Sequence, residues 1–394
     1  MSKYILINGQ SPDLAQAEIW SVYHKHAKNI DFRDNFTILE IDLDPEAIQA
    51  RLGGTIKVAE YLTSFDDLGQ IDPQWWAENL NLNKDHKANF GFSLYNSNSK
   101  KYLQIKKIAL SVKKELKSQG FKARLVTSQD LDMSSVVVKT NHLLGNELLI
   151  IHDAGKYTIA LTQAVQDFED YADRDMNRPG RDDRSGMLPP KVAKMMINLL
   201  DNNKKNILLD PFCGSGTILQ EAVLLGYKKL YGTDNSPQAI SDSQKNIVWF
   251  RKQYEHNFEI KFLQVNAKEL TRYIKKTEVE CIVSEPFMGP AAEIIRKNDL
   301  DYFYTLSQDL TDLYAKAFQE FAKVLPTGAR IIFVFPIFNV KDKKIDSLDI
   351  RRIEKSGFKN ICLPIKYKAT KNGQIVYQRP GQKVARQITI WEKV

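Results

Sequence analysis

No stretch of this 394-residue chain approaches the roughly 20 consecutive apolar residues that cross a bilayer. The opening MSKYILING lacks the basic segment, apolar run and small-residue cleavage site of an export signal, so a cytoplasmic location is expected. Cysteine is scarce: Cys213, Cys281 and Cys362 are odd in number, widely spaced and outside any CxxC pair, which argues against a disulfide framework and a structural zinc site. Of the six histidines, His24 and His26 lie two apart, but with no further partner nearby they read as solvated surface, and no metal is expected. Internal repeats and low-complexity tracts are also missing.

What is present suits a globular, multi-domain protein. Apolar residues make up 43% of the chain, and its length is comfortable for two or three separate cores. Lys and Arg outnumber Asp and Glu by 56 to 48, a net charge of +8. Such an excess fits a polyanionic partner, because each phosphate neutralised releases condensed counterions.

Changes of period divide the chain. Residues 1–68 mix strand-like pieces (YILIN, FTILEIDL) with helical ones, an α+β pattern. Residues 69–170 form a second unit. It starts with a connector-like stretch to about residue 88, then NFGFSLYN reads as a strand. In the helix that follows, Ile105, Ile108, Ala109, Val112 and Leu116 share one face, lysines take the other, and Gly120 closes the end. SSVVVKTNHLL fits helix or strand, and ELLIIHDAGKYTIALTQAV a hairpin turning at Asp153-Ala154-Gly155. Residues 171–190 are charged, contain Pro and Gly, lack a period and read as a linker. From 191 to 394, helices alternate with short apolar strands (NILLD, KLYGTD, IKFLQV, CIVSE, RIIFVFP), which predicts a mostly parallel sheet covered on both faces. Ligands in such sheets sit beyond the carboxyl ends of the strands.

The first of those strands runs into DPFCGSGT, residues 210–217. Asp210, then Gly214 and Gly216, then a helix from Thr217 make a tight turn that lets backbone approach a ligand closely. A dinucleotide is disfavoured, since G-x-G-x-x-G/A needs a small residue where Leu219 stands. The second strand ends at Asp234, about where an acidic residue meets a ribose in this architecture. The third ends in VNAKEL, offering Asn266 and the Ala267 backbone to an adenine edge.

DPFCGSGT resembles the first motif of Rossmann-like S-adenosylmethionine methyltransferases, in particular those that methylate guanosine N2 in RNA. The resemblance implies S-adenosylmethionine as cofactor, with Asp210, Phe212, Cys213, Gly214, Ser215, Gly216 and Thr217 around its methionine part. It places Asp234 and Asn235 at the ribose, and Asn266 and Ala267 at the adenine, although many relatives carry an aspartate at the position of Asn266. Cys213 could also suggest a nucleophile for pyrimidine C5 methylation, but its place inside the turn favours a small packed residue.

The fourth strand ends in SEPFMGP, residues 284–290. An exocyclic amine on a base is a weak nucleophile because its lone pair is delocalised into the ring. Acceptors holding its N–H groups tilt that lone pair outward and stabilise the positive charge that develops. Pro286 fixes φ and offers its carbonyl as one acceptor; the other must be a side chain, Ser284 or Glu285. Phe287 supplies a stacking face for the base, while Met288, Gly289 and Pro290 shape the loop. SEPF resembles the [D/N/S]PP[Y/F] motif of amino-methyltransferases, with Glu285 in place of the first proline.

Residues 85–170 resemble the THUMP RNA-binding domain, and RSGMLPPKVAKMMINL and VYQRPGQKVARQITIW resemble the flanks of the same methyltransferases. The chain is thus similar to THUMP-containing tRNA guanosine-N2 methyltransferases acting at position ten. That implies an α/β chain: a C-terminal Rossmann-like domain preceded by α+β and THUMP-like domains, with tRNA as partner. Lys106, Lys107, Lys113, Lys114, Lys117, Lys122 and Arg124 form a plausible phosphate-contacting set. The linker arginines Arg174, Arg178, Arg181 and Arg184 alternate with aspartates and suit intramolecular pairing as well as RNA. Two other readings stay open: a DNA amino-methyltransferase acting on adenine N6 or cytosine N4, and a non-catalytic RNA-binding protein that kept the fold.

Overall fold

In the computed structural model the described residues are 1–181, 187–201, 207–276, 278–289, 299–364, 374–379 and 381–394. They group into two compact units: Met1–Pro12 with Tyr23–Glu169, and Asp13–Val22 with Asp170–Val394.

The first unit is built on β1 (Ser2–Asn8), β2 (Asn29–Phe32), β3 (Phe36–Ile41), β4 (Thr55–Phe65), β5 (Ala88–Tyr95), β6 (Ala123–Val126), β7 (Glu147–Asp153) and β8 (Lys156–Val165). Among the described residues these make one sheet in the order β2-β3-β1-β4-β8-β7-β5-β6, so strands from 1–68 and from 69–170 share a sheet. The hairpin turns at 153–156 as the sequence suggests, with Asp153 opposite Lys156. The amphipathic helix is Ser99–Ser118, capped by Asn98, and it buries Ile105, Ala109, Val112 and Leu116. SSVVVKTNHLL resolves into a short helix, Ser135–Thr140.

One stretch differs from expectation. The connector near residue 75 carries a helix, Pro73–Glu78, and Trp76 is fully buried, edge-on to Phe90 and Phe92. The polar neighbours that suggested a loop are its caps. Asp72 accepts from the Gln74 N–H, and two tryptophans outweigh a few polar positions because burying a large side chain is worth ~1.5–3 kcal/mol.

At the sheet centre, β4, β5, β7 and β8 each send a side chain into one buried polar cluster. Lys57 Nζ reaches Glu147 Oε1 at 2.5 Å, and Ser93 and Thr162 donate to the two oxygens of the same carboxylate. Burial without such partners would be prohibitive.

The second unit holds β9 (Leu208–Asp210), β10 (Lys229–Asp234), β11 (Glu259–Gln264), β12 (Cys281–Ser284), β13 (Arg330–Val340), β14 (Lys343–Asp346), β15 (Phe358–Asn360), β16 (Ile375–Tyr377) and β17 (Val384–Lys393). Their order is β11-β10-β9-β12-β13-β17-β15, with β14 on β13 and β16 on β17. β9 to β13 run parallel, and β17 is antiparallel to β13 and β15. Alternation feeds two cores, one on each face. Leu208, Cys281 and Val283 pack with Val192, Met196 and Phe250, whereas Leu209 and Ile282 pack with Phe303, Phe318 and Phe321. Chain order reverses between β9 and β12, and a crevice at the carboxyl ends of such a pair is the general ligand site of this architecture.

Among the described residues no helix is long and apolar enough to cross a membrane, and no group of three or more His, Cys, Asp or Glu could hold a metal ion.

Candidate active site

β9 ends at Asp210 because Pro211 cannot continue the ladder. The turn that follows is held on several sides. Cys213 N–H donates to Thr233 O at 2.9 Å and Gly216 N–H to Cys213 O at 2.7 Å. Ser243 Oγ donates to Gly214 O at 2.8 Å, and Asn246 Nδ2 to Ser215 O at 2.8 Å. Gly214 and Gly216 have φ of 50° and 85°, conformations that disfavour any other residue. A Cβ on Gly214 would meet nothing within 4 Å, whereas one on Gly216 would lie 3.1 Å from Ser243 Oγ. The open side of Gly214 leaves room for a ligand against the backbone; Gly216 is required by packing and begins the helix Thr217–Leu224.

Asp234, at the end of β10, is tied to this turn. Its carboxylate accepts the Gly214 N–H at 3.1 Å and the Ser236 N–H at 2.9 Å. Asn235 beside it is exposed. Asn266 caps the 3-10 turn Ala267–Arg272 by accepting from Lys268 N–H at 3.1 Å, and Ala267 is buried. Phe212 packs edge-on to Phe333. Cys213 is buried, and burial pushes its thiol well above the usual range, which removes the thiolate a nucleophile needs.

The fourth-strand motif lies beside the glycine turn. β9 and β12 are hydrogen-bonded neighbours, Leu208 opposite Cys281 and Leu209 opposite Ile282. Ser284 Oγ donates to Asp210 Oδ1 at 2.6 Å. Both residues are buried, Ser284 at 0% exposure, so the serine hydroxyl is not on a surface that a substrate can reach. Burial lifts the Asp210 carboxyl to about 7, against the lowering effect of the Ser284 and Phe212 hydrogen bonds. Glu285 turns the other way. Its carboxylate takes Arg386 Nε at 2.7 Å and Nη2 at 3.1 Å. Pro286 is buried, and Phe287 is 54% exposed with its carbonyl held by Tyr314 Oη at 2.7 Å. Pro290 and Arg184 lie outside the described residues.

Three arginines bear on the site unannounced by any motif spacing. Arg386 is one. Arg178, 2% exposed, donates through Nη1 to Thr217 Oγ1 at 2.5 Å, at the start of the helix after the glycine turn. Among the described residues nothing accepts from its Nε, and burial pulls its pKa down. Arg174 joins that same helix through Glu221 at 2.5 Å and also meets Asp170 and Tyr254. The proline-rich charged stretch could have revealed these contacts only if their partners, some 40 residues on, had been known.

Lys107, Lys114, Lys117, Lys122 and Arg124 are exposed and Lys106 and Lys113 half-buried.

A sheet in this strand order, with a glycine turn after its first strand and a Pro-aromatic loop after its fourth, defines a Rossmann-like methyltransferase fold. Residues 178–360 match the RMKL-like methyltransferase domain family, UPF0020. A DNA methylase family also matches, over residues 73–245; that stretch stops before β12 and the SEPF loop. A curated relative, the tRNA (guanine(10)-N2)-dimethyltransferase of Pyrococcus abyssi, is 30% identical over 176 residues, 44% of this chain and 44% of that protein. The chain thus spans less than half the length of that relative. Among solved structures, TrmN from Thermus thermophilus is similar over 100% of both chains with a TM-score of 0.57 at 14% identity. SMU.472, solved with S-adenosylhomocysteine, is similar over 98% of both chains with a TM-score of 0.50 at 12% identity. At such identities the two structures speak for the fold.

Proposed function

We propose that this protein is an S-adenosylmethionine-dependent methyltransferase that forms N2-methylguanosine in tRNA, acting in the cytoplasm. The observation that carries the reading is the pairing of β9 with β12, which sets the glycine turn and the SEPF loop side by side, bridged by the Asp210–Ser284 hydrogen bond at 2.6 Å. The named activity of the Pyrococcus relative supports the choice of substrate.

The residues fit the cofactor. Gly214 leaves the backbone open to a ligand, and Asp234 holds that backbone while keeping lone pairs for ribose hydroxyls. Arg178, a buried cation at the positive end of a helix whose Nε–H finds no acceptor among the described residues, calls for an anion, and the methionine carboxylate is the one the cofactor carries. Cofactor contacts are assigned to Phe212, Cys213, Ser215, Gly216 and Thr217 along the turn, and to Asn235, Asn266 and Ala267 at the ribose and adenine. S-Adenosylmethionine supplies a methyl group on a positively charged sulfur; transfer to an amine leaves a neutral thioether and releases one proton.

The chain's own groups prepare the amine. The carbonyl of Pro286 and the carboxylate of Glu285 hold its N–H groups, and Phe287 stacks on the base, a contact worth ~1–3 kcal/mol. Ser284 does not serve as acceptor in this scheme: its hydroxyl is fully buried and given to Asp210. In the first unit we assign residues 69–170 a THUMP-like RNA-binding role, carried by Lys106, Lys107, Lys113, Lys114, Lys117, Lys122 and Arg124; among the described residues no ion pair involves them. Residues 1–68 are the preceding α+β part.

The test is transfer of labelled methyl groups from S-adenosylmethionine to unmodified tRNA and to duplex DNA, followed by nucleoside mass spectrometry. N2-methylguanosine in the tRNA arm is expected. Incorporation into DNA alone, or into neither despite cofactor binding, would reject the reading.

A further inference from the structure

Position 285 is where the acceptor motif departs from its usual form, a glutamate standing for the first proline. That glutamate is not loose. The Arg386 fork closes on its carboxylate through three N–H···O contacts, Nε to Oε1 at 2.7 Å and to Oε2 at 3.2 Å, and Nη2 to Oε2 at 3.1 Å, and the two side chains are only 8% and 9% exposed. Arg386 comes from β17, opposite Pro336 of β13 and Tyr377 of β16, and lies beyond the stretch 178–360 that matches the methyltransferase domain family.

Three physical consequences follow from that geometry. Burying a carboxylate this far out of water is costly unless a cation stands against it. A neutral acid, like an amide, carries a donor hydrogen, and a donor facing an N–H group is repelled rather than bound. Finally, a planar guanidinium fork fixes the carboxylate plane, as the rotating ammonium of a lysine does not, and it uses about two of the four lone-pair positions on the carboxylate oxygens, leaving the others to accept.

We infer that Arg386 is a positioning residue: its fork pairs with Glu285 and orients it as an acceptor for the exocyclic amino group of the target base. The inference rests on the methyltransferase reading above and deepens it. It assigns the side-chain acceptor to a pair that the chain supplies from two distant segments, and it makes the pocket selective for a base that presents an N–H donor at the reacting nitrogen. The competing account is a latch, in which the ion pair only ties the SEPF loop to β17 and either polarity would serve.

The reciprocal exchange Glu285→Arg with Arg386→Glu separates the two, because it preserves the ion pair but reverses its sense. Cofactor affinity is measured by titration with S-adenosylmethionine, and methyl transfer is followed on an unmodified tRNA transcript. The expected result is cofactor affinity within about threefold of the parent and transfer reduced about a hundredfold or more. Arg386→Lys should also bind cofactor normally while its kcat falls about tenfold. Transfer by the exchanged protein within about threefold of the parent would establish the latch and overturn the inference.

Should the exchanged protein not fold, Glu285→Gln, Arg386→Lys and their double variant decide. Action through Glu285 predicts that the double is no slower than Glu285→Gln alone, and additive losses refute it. A parent protein that binds cofactor yet methylates no RNA would instead sink the methyltransferase reading, and this inference with it.

Discussion

Ser284 gives its hydroxyl hydrogen to the carboxylate of Asp210 across 2.6 Å, joining the residue that starts the glycine turn to the one that starts the SEPF loop. Two segments 74 positions apart thereby share one buried hydrogen bond, at the point where chain order reverses. Five consequences of this site and of the lysine face can be measured.

Burial holds the Asp210 carboxyl near 7, above its ordinary value of about 4. Between those values the folded protein keeps a proton that the unfolded chain has lost, so Asp210 makes stability fall as pH rises through this window, by on the order of 1 kcal/mol per pH unit. The Asp210→Asn variant cannot titrate there. Chemical denaturation from pH 5 to pH 8 should show a flatter profile for the variant than for the parent; parallel profiles would argue that Asp210 stays ionised throughout.

Gly214 and Gly216 should respond differently to alanine. Both substitutions strain a positive φ, at a cost of about 1 kcal/mol. At Gly216 the new methyl also crowds Ser243, so Gly216→Ala is expected to lower the melting temperature further. At Gly214 the methyl enters open space, and the main loss should be cofactor affinity, about tenfold or more by calorimetric titration.

Arg178→Gln removes the buried cation beside Thr217 while keeping a polar side chain. S-Adenosylmethionine should bind about tenfold more weakly, whereas 5′-methylthioadenosine, which lacks the amino acid carboxylate, should bind as before. Equal weakening of both ligands would place the effect in the turn rather than in a charge contact.

Phe287 is half exposed, so Phe287→Ala should leave the melting temperature and cofactor affinity unchanged. Its effect belongs on the nucleic acid: kcat/KM for tRNA should fall by about one order of magnitude, as loss of one stacking contact predicts, and Phe287→Trp should retain activity. Reversing Lys107, Lys114 and Lys117 to Glu should in turn weaken RNA binding across sequences and flatten its salt dependence.

Local order was legible wherever one segment decides its own structure. The alternation from residue 191 onward gives the parallel run β9 to β13, to which β17 adds antiparallel; β9, β12 and β13 bury both faces and read as apolar runs. Gly214 and Gly216 adopt the positive φ that the turn demanded. The helix at 99–118 buries Ile105, Ala109, Val112 and Leu116 of the stripe its spacing specified, leaves Ile108 half-buried, and ends two residues before Gly120. The SEPF loop was found by its composition.

Tertiary structure alone decided which polar groups remain available to a substrate. Ser284 and Glu285 were both candidates as text, with Glu285 slightly favoured because a carboxylate better stabilises a developing ammonium. The fold spends the serine on Asp210 and sets the glutamate against Arg386, 101 positions later. Trp76 left an apparent connector for the core, and Arg174 and Arg178 left an apparent linker for buried sites beside the helix Thr217–Leu224. The reason is common to all of them: periodicity and turn chemistry are properties of neighbours in the chain, whereas desolvation must be offset by whatever partner the fold brings near.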